Sequence, residues 1–279
     1  MSPETIITVL NYLLSVSYII VIVLYGIKFF TRESEQQKPF KITSVGLKWL
    51  VFLQFSYLAI RSFEYNHAPI TSIFELMTLI AFGITVTYIY IEYKTGVRQS
   101  GFFILLIAGI FQIISTIFIR EITEINPVLR SWLLGVHVST ALIGYSAIII
   151  SGIYGFLYLT MYWHIKSNKP SNFYIKLPSL QLLEKLTANS IKFGFVFLTI
   201  TIIIGAVWLL SAIEDFSYAD PKLISTLAVW IIYLLGYISI KIYRTQSRTT
   251  MKLAVVGFVF TVFSILVVNF VFQSFHRFY

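Results

Sequence analysis

Eight stretches of apolar residues, each about 18 residues or longer, dominate this chain and constrain what it can fold into. They run approximately over 6–30, 45–61, 72–92, 102–119, 131–162, 192–212, 223–243 and 252–272. In hydrocarbon every backbone amide and carbonyl needs a partner within the protein, so stretches of this length read as transmembrane helices. The expected fold is all-α: a polytopic membrane bundle of eight transmembrane helices, forming a single integral membrane domain over 1–279. The second stretch is marginal in length. The fifth exceeds what a bilayer needs and is expected to tilt or project from it. Composition agrees. Of 279 residues 57% are hydrophobic and 12% charged, against roughly 25% charged in soluble domains, which leaves no room for a separate soluble domain. Met1 to Thr5 carries no positive charge and no small-residue cleavage site follows the first apolar run. A retained first span, not a cleaved signal peptide, is expected.

Charge sets the expected orientation. The segments after spans 1, 3, 5 and 7 carry sixteen lysines and arginines, and the opposite face carries five: Arg61, Arg120, Arg130, Lys222 and Arg277. The positive-inside rule therefore places both termini on the outer side. A bacterial cytoplasmic membrane is the expected location. The longest loop, about 165–191, is cytoplasmic on this reading. Its stretch Leu177–Leu186 reads as a short helix beginning at Pro178, with Leu180, Leu183 and Leu186 on one face, lying along the membrane surface.

Several classes of function drop out. There are no cysteines, which excludes disulfides, thiolate metal sites and thiol catalysis by this chain. The net charge of +9 sits in short loops where it sets topology, and no basic patch with interleaved aromatics stands outside the membrane, so nucleic-acid binding is not expected. Phosphate-binding loops, serine-nucleophile motifs and zinc-helix motifs are absent.

The polar residues that remain in the spans are the functional candidates, because they are costly there. Four histidines occur: His67, His137, His164 and His276. His137 lies about six residues into span 5 from its outer end, and His276 just past the outer end of span 8. Topology thus puts both at one membrane face, where two neutral imidazoles can ligate a metal or haem iron. The alternative is that each bonds a backbone carbonyl or sits in the interface. His67 lies in an outer loop, as a third ligand, a proton carrier or a solvated residue; His164 reads as interfacial. Glu75, near the outer start of span 3, can cap that helix, orient a histidine or hold a cation. Asp220 and Pro221 read as the N-cap and first residue of span 7. Trp208 and Trp230 bracket the outer loop between spans 6 and 7, as an interfacial belt or as walls for a flat ligand.

Five groups of residues, in order along about 67–279, carry a resemblance. They are His67-Ala-Pro-Ile-Thr-Ser-Ile-Phe-Glu75; His137-Val-Ser-Thr-Ala-Leu-Ile-Gly-Tyr145; Leu177-Pro-Ser-Leu180 with Gly194-Phe195, Leu198-Thr199 and Gly205-Ala-Val-Trp208; Asp220-Pro-Lys222 with Trp230; and Val268-Asn269 with His276. Together they resemble the cytochrome c assembly protein family, in its CcsA/ResC branch and the related HemX branch. The resemblance implies haem (haem b) handled at the outer face, with His137 and His276 at the positions of the axial iron ligands. Trp208, Asp220, Tyr218 and Glu75 then belong to the haem surroundings. One departure stands out. The family's outer loop carries three further tryptophans, and these positions are Ile213, Ser217 and Ala219 here; the family's histidine in the next span falls on Ile238. Phe216 and Tyr218 supply the aromatic surface that remains.

Three functions follow. A CcsA-like protein would present haem for cytochrome c biogenesis, at most as one component of a haem–cytochrome c ligation complex, with a CcsB/ResB-like membrane protein and apocytochrome c as partners. A HemX-like regulator would act on a haem-biosynthesis enzyme, through the level of glutamyl-tRNA reductase. A small-molecule transporter would bind no haem. The missing tryptophans favour the second over a fully active first, and the retained histidine pair argues against the third.

Overall fold

The structure is a computed structural model describing residues 2–31, 41–120, 131–168, 174, 176–212, 219–243 and 248–268. Among these, regular structure is helical throughout, and eight helices are long and apolar enough to cross a membrane. They are α1 (Pro3–Phe30), α2 (Lys41–Tyr65), α3 (Ile73–Thr95), α4 (Gly101–Phe118), α5 (Trp132–Lys166), α6 (Leu180–Ala212), α7 (Pro221–Tyr243) and α8 (Arg248–Phe263). A π-helical turn, Ser264–Val268, extends α8. The protein is a multi-pass helical membrane protein, as the eight apolar stretches predict.

Local chemistry explains the helix ends. Ser2 caps α1, its Oγ accepting from Thr5 N at 3.3 Å, and Pro3 follows where a missing amide costs nothing. Ser72 caps α3 by accepting from Glu75 N at 3.2 Å. The same helix stops at Gly96, which has φ +68° and donates to Glu92 O at 2.9 Å, a left-handed cap that glycine adopts without a Cβ penalty.

One expected element differs. The stretch 177–186 is not a separate helix along the membrane surface; α6 begins at Leu180 and runs unbroken to Ala212. Ser179, not Pro178, makes the start, accepting from Leu182 N at 3.3 Å. No proline or glycine interrupts Thr187 to Ile191, so nothing ends the helix there. Leu183, Leu186, Thr187 and Ile191 are buried, so the apolar face is turned into the protein and not against lipid.

The chain divides into two compact units. The first holds α1 to α4 and 175–178. Its interior sets apolar side chains such as Leu14, Leu50, Met77, Ile84 and Ile104 beside a connected group of polar ones. Tyr18 Oη lies 2.7 Å from Gln54 Oε1 and 2.8 Å from Thr85 Oγ1. Gln54 Nε2 donates to Thr78 O at 3.0 Å and Gln112 Oε1 at 3.3 Å. Gln112 Nε2 and Thr116 Oγ1 both donate to Asn11 Oδ1, at 3.2 and 2.9 Å. Val9, Val16, Phe52 and Phe55 face outward. Lipid tails are as apolar as leucine, so helices in a bilayer gain little from hiding apolar surface; close packing and interhelical hydrogen bonds hold them.

The second unit holds α5 to α8. Its centre is Ile148, Ile191, Leu198, Val229, Tyr233 and Ala254, with Ser151 Oγ 2.6 Å from Tyr233 Oη. Serine and threonine pairs clip α7 to α8 at both ends: Ser225 to Ser264 at 2.9 Å, and Ser239 to Thr250 at 2.7 Å. The antiparallel order brings the start of α5, the end of α6, the start of α7 and the end of α8 to one end of this unit.

Candidate functional site

His137 sits between the first and second turns of α5, half-buried against α6. Its Nδ1 is 3.0 Å from the carbonyl oxygen of Thr201. A carbonyl only accepts, so Nδ1 carries the proton and Nε2 keeps its lone pair. No hydrogen bond engages Nε2 among the described residues. The ring lies against Gly205. A Cβ built there would stand 2.6 Å from His137 Cε1 and 2.9 Å from Nδ1. Thr201, Gly205 and Trp208 are spaced i, i+4 and i+7, so they form one stripe along α6.

Around this stripe lie the other candidates of the same unit. Trp208 is buried, with 4% of its surface exposed. Asp220 is the N-cap of α7, as its sequence predicts: Oδ1 accepts from Lys222 N at 2.8 Å and Leu223 N at 3.3 Å, and Pro221 opens the helix. It is also buried, which aims a fixed carboxylate at this end of the unit. Trp230, three turns into α7, donates from Nε1 to Thr199 Oγ1 at 2.8 Å and lies near Phe195. Its indole edge is therefore committed to tying α7 to α6. Tyr218 and His276 lie outside the described residues. The described part of α8 ends at Val268, eight residues before His276.

Glu75 belongs to the first unit and answers to different partners. Its Oε1 pairs with Arg61 at 2.9 Å, both side chains being buried. Its Oε2 accepts from the amide and hydroxyl of Thr71, each at 2.7 Å. This carboxylate ties the segment before α3 back to α2. At the other end of α3, Glu92 accepts from Tyr25 Oη, from Ser44 Oγ and from Arg98 Nε. His67 contacts its neighbour Ala68 O at 2.7 Å, and His164 stacks on Tyr174 with ring centroids 3.7 Å apart. Among the described residues no three of His, Asp and Glu gather closely enough to hold a metal ion.

Sequence reasoning found His137 but not what holds it. Thr140 and Gly205 fall inside the groups that carry the family resemblance, but nothing in those groups assigns them to His137, and Thr201 lies outside them. The spacing of 201, 205 and 208 on one face becomes meaningful once α5 is known to pack there.

Fold and site together define a polytopic helical membrane protein that presents one oriented imidazole at one end of a four-helix unit. The chain belongs to the cytochrome c assembly protein family, whose profile matches residues 70–276. It is 29% identical to the cytochrome c biogenesis protein CcsA of Guillardia theta, over 79% of this chain and 80% of that protein. It is 28% identical to the protein of the same name from Mesostigma viride, over 96% of both, and 25% identical to that of Trieres chinensis, over 91% and 90%. Family membership supports a role in cytochrome c biogenesis.

Proposed function

We propose that this protein handles haem for cytochrome c biogenesis, holding it at the outer face of a bacterial cytoplasmic membrane with His137 and His276 as axial iron ligands. The observation that carries the reading is His137 itself, with Nδ1–H fixed on the Thr201 carbonyl and Nε2 left as a lone-pair donor. Imidazoles that bind metals characteristically give their other nitrogen to a carbonyl or carboxylate, which sets the tautomer and aims the ring. The His137 imidazole thus suits an iron ligand. Two neutral imidazoles would give low-spin haem b, and the iron would bring redox activity to the site. His137 would bind, Asp220 would set the local charge, and Trp208, Tyr218 and the start of α7 would shape the surroundings. On this reading a CcsB/ResB-like membrane protein and apocytochrome c are the partners, and Glu75 holds the start of α3 through Arg61 and Thr71. The outward orientation rests on the sixteen-to-five asymmetry in basic residues.

A second reading rests on one sequence observation: Ile213, Ser217 and Ala219 stand where CcsA-like chains carry tryptophans. Each missing aromatic contact removes on the order of 1 kcal/mol from the grip on a flat ligand. A HemX-like regulator of a haem-biosynthesis enzyme has less need of that grip.

The test is purification from haem-replete membranes followed by absorption spectroscopy. A low-spin bis-histidine spectrum is expected in the wild type and is lost in His137→Ala and in His276→Ala. A wild-type protein that carries no haem, and takes up none when haem is added, overturns the haem-handling reading. Co-purification with a CcsB/ResB-like protein favours the first role, and with a haem-biosynthesis enzyme the second.

A further inference from the structure

In a helix the carbonyl of Thr201 receives the amide four residues on, which is Gly205. A side chain at 205 would stand beside that carbonyl and cover it. Here the His137 ring takes that place: a Cβ at 205 would lie 2.6 Å from Cε1, closer than carbon atoms approach without displacement. The missing side chain is what lets an imidazole from α5 dock on the α6 backbone. A second link lies one turn away. Thr201 Oγ1 shares its one proton between Phe197 O at 2.8 Å and Thr140 Oγ1 at 3.0 Å, and Thr140 Oγ1 shares its own between Val136 O at 3.0 Å and the backbone oxygen of His137 at 2.9 Å. Three of these contacts link the two helices in a circuit: His137 ring to Thr201 carbonyl, Thr201 hydroxyl to Thr140 hydroxyl, Thr140 hydroxyl to His137 carbonyl.

We infer that Gly205, Thr201 and Thr140 are positioning residues that hold His137 in one tautomer and one rotamer, with Nε2 ready as a ligand before any iron arrives. The inference rests on the reading of His137 as an iron ligand. It adds that the ligand's geometry is set by the α5–α6 contact and not by the metal. A histidine that only satisfies a helix carbonyl needs no glycine beneath it and no hydroxyl clasp beside it. Ligand supports of this kind typically contribute 10- to 100-fold in metal affinity.

The experiment uses the full chain in lipid nanodiscs, with 15N-labelled histidine, first without haem and then titrated with hemin. The His137 signals are assigned by their loss in His137→Ala. In the haem-free wild type we expect a protonated Nδ1 and an unprotonated, pyridine-type Nε2. Gly205→Ala is expected to mix the tautomers and lower hemin affinity by roughly 10- to 100-fold. Thr201→Val and Thr140→Val, which keep the glycine and the shape, are expected to move both readouts the same way by less, and they carry the test if Gly205→Ala does not insert. A protonated Nε2 in the haem-free wild type overturns the inference. So does a Gly205→Ala protein with wild-type tautomer and affinity, and in that case the haem reading stands. Hemin binding that is unchanged in His137→Ala overturns the haem reading instead.

Discussion

At the scale of single residues, this chain spends its few intramembrane polar groups in two ways. Arg61 and Glu75 neutralise one another inside the first unit, at 2.9 Å with both side chains buried. Removing one partner leaves a charge with no counter-ion where water does not reach. Arg61→Leu is expected to cost about 3–5 kcal/mol, and the Arg61→Leu/Glu75→Leu double variant to recover much of it. Thermal unfolding in detergent would read this, and a single variant as stable as wild type would show the pair to be idle. His137 is different, because among the described residues one nitrogen is bonded and the other is not. The sequence shows that a histidine lies here. It does not show which nitrogen is left over, since that depends on a carbonyl 64 residues away.

At the scale of elements, capping chemistry was readable because it is local. Asp220 followed by proline predicts a helix start, and the carboxylate indeed takes the amides of Lys222 and Leu223. Asp220→Ala should lower stability by about 1 kcal/mol, seen as a small drop in the unfolding midpoint. A much larger drop would mean that the buried carboxylate holds more than a helix end. The stretch 177–186 was misread for the converse reason. Its leucine periodicity marks an amphipathic helix, but periodicity does not say whether the apolar face meets lipid or protein. The structure continues it into α6, and Leu183 and Leu186 are buried. Asn189→Pro separates the two descriptions, because Asn189 is exposed and the substitution disturbs only the backbone. A continuous α6 is expected to lose about 3 kcal/mol; a hinge between a surface helix and a span would lose almost nothing, and pulse proteolysis distinguishes them.

At the scale of the whole molecule, each unit combines buried apolar side chains with interhelical hydrogen bonds. In the first the bonds run through Asn11, Tyr18, Gln54 and Gln112, longer polar side chains than the second uses. In the second, serines and threonines clip α7 to α8 around a packed apolar centre. The orientation proposed from loop charge is open to a direct test. The protein has no cysteine, so single cysteines report topology without background. Ser2→Cys is expected to react with an impermeant maleimide from outside, and Ser167→Cys only after the membrane is opened. The reverse pattern would invert the assignment and put His137 at the cytoplasmic end.

The sequence by itself determined the solvent. Length and apolarity of eight stretches make any other fold untenable, because a backbone in hydrocarbon must satisfy its own hydrogen bonds. It also determined the start of α7 at Asp220 and Pro221 and, through motif resemblance, the family. What only the tertiary structure decided is which polar groups meet: Arg61 with Glu75, Gln54 with Gln112, and His137 with Thr201 over a glycine. The reason is physical. Helix formation depends on neighbours within four residues, which the order of the chain supplies. Which nitrogen of His137 is bonded depends on a partner helix packed close enough to offer a carbonyl, and distance along the chain carries no record of that.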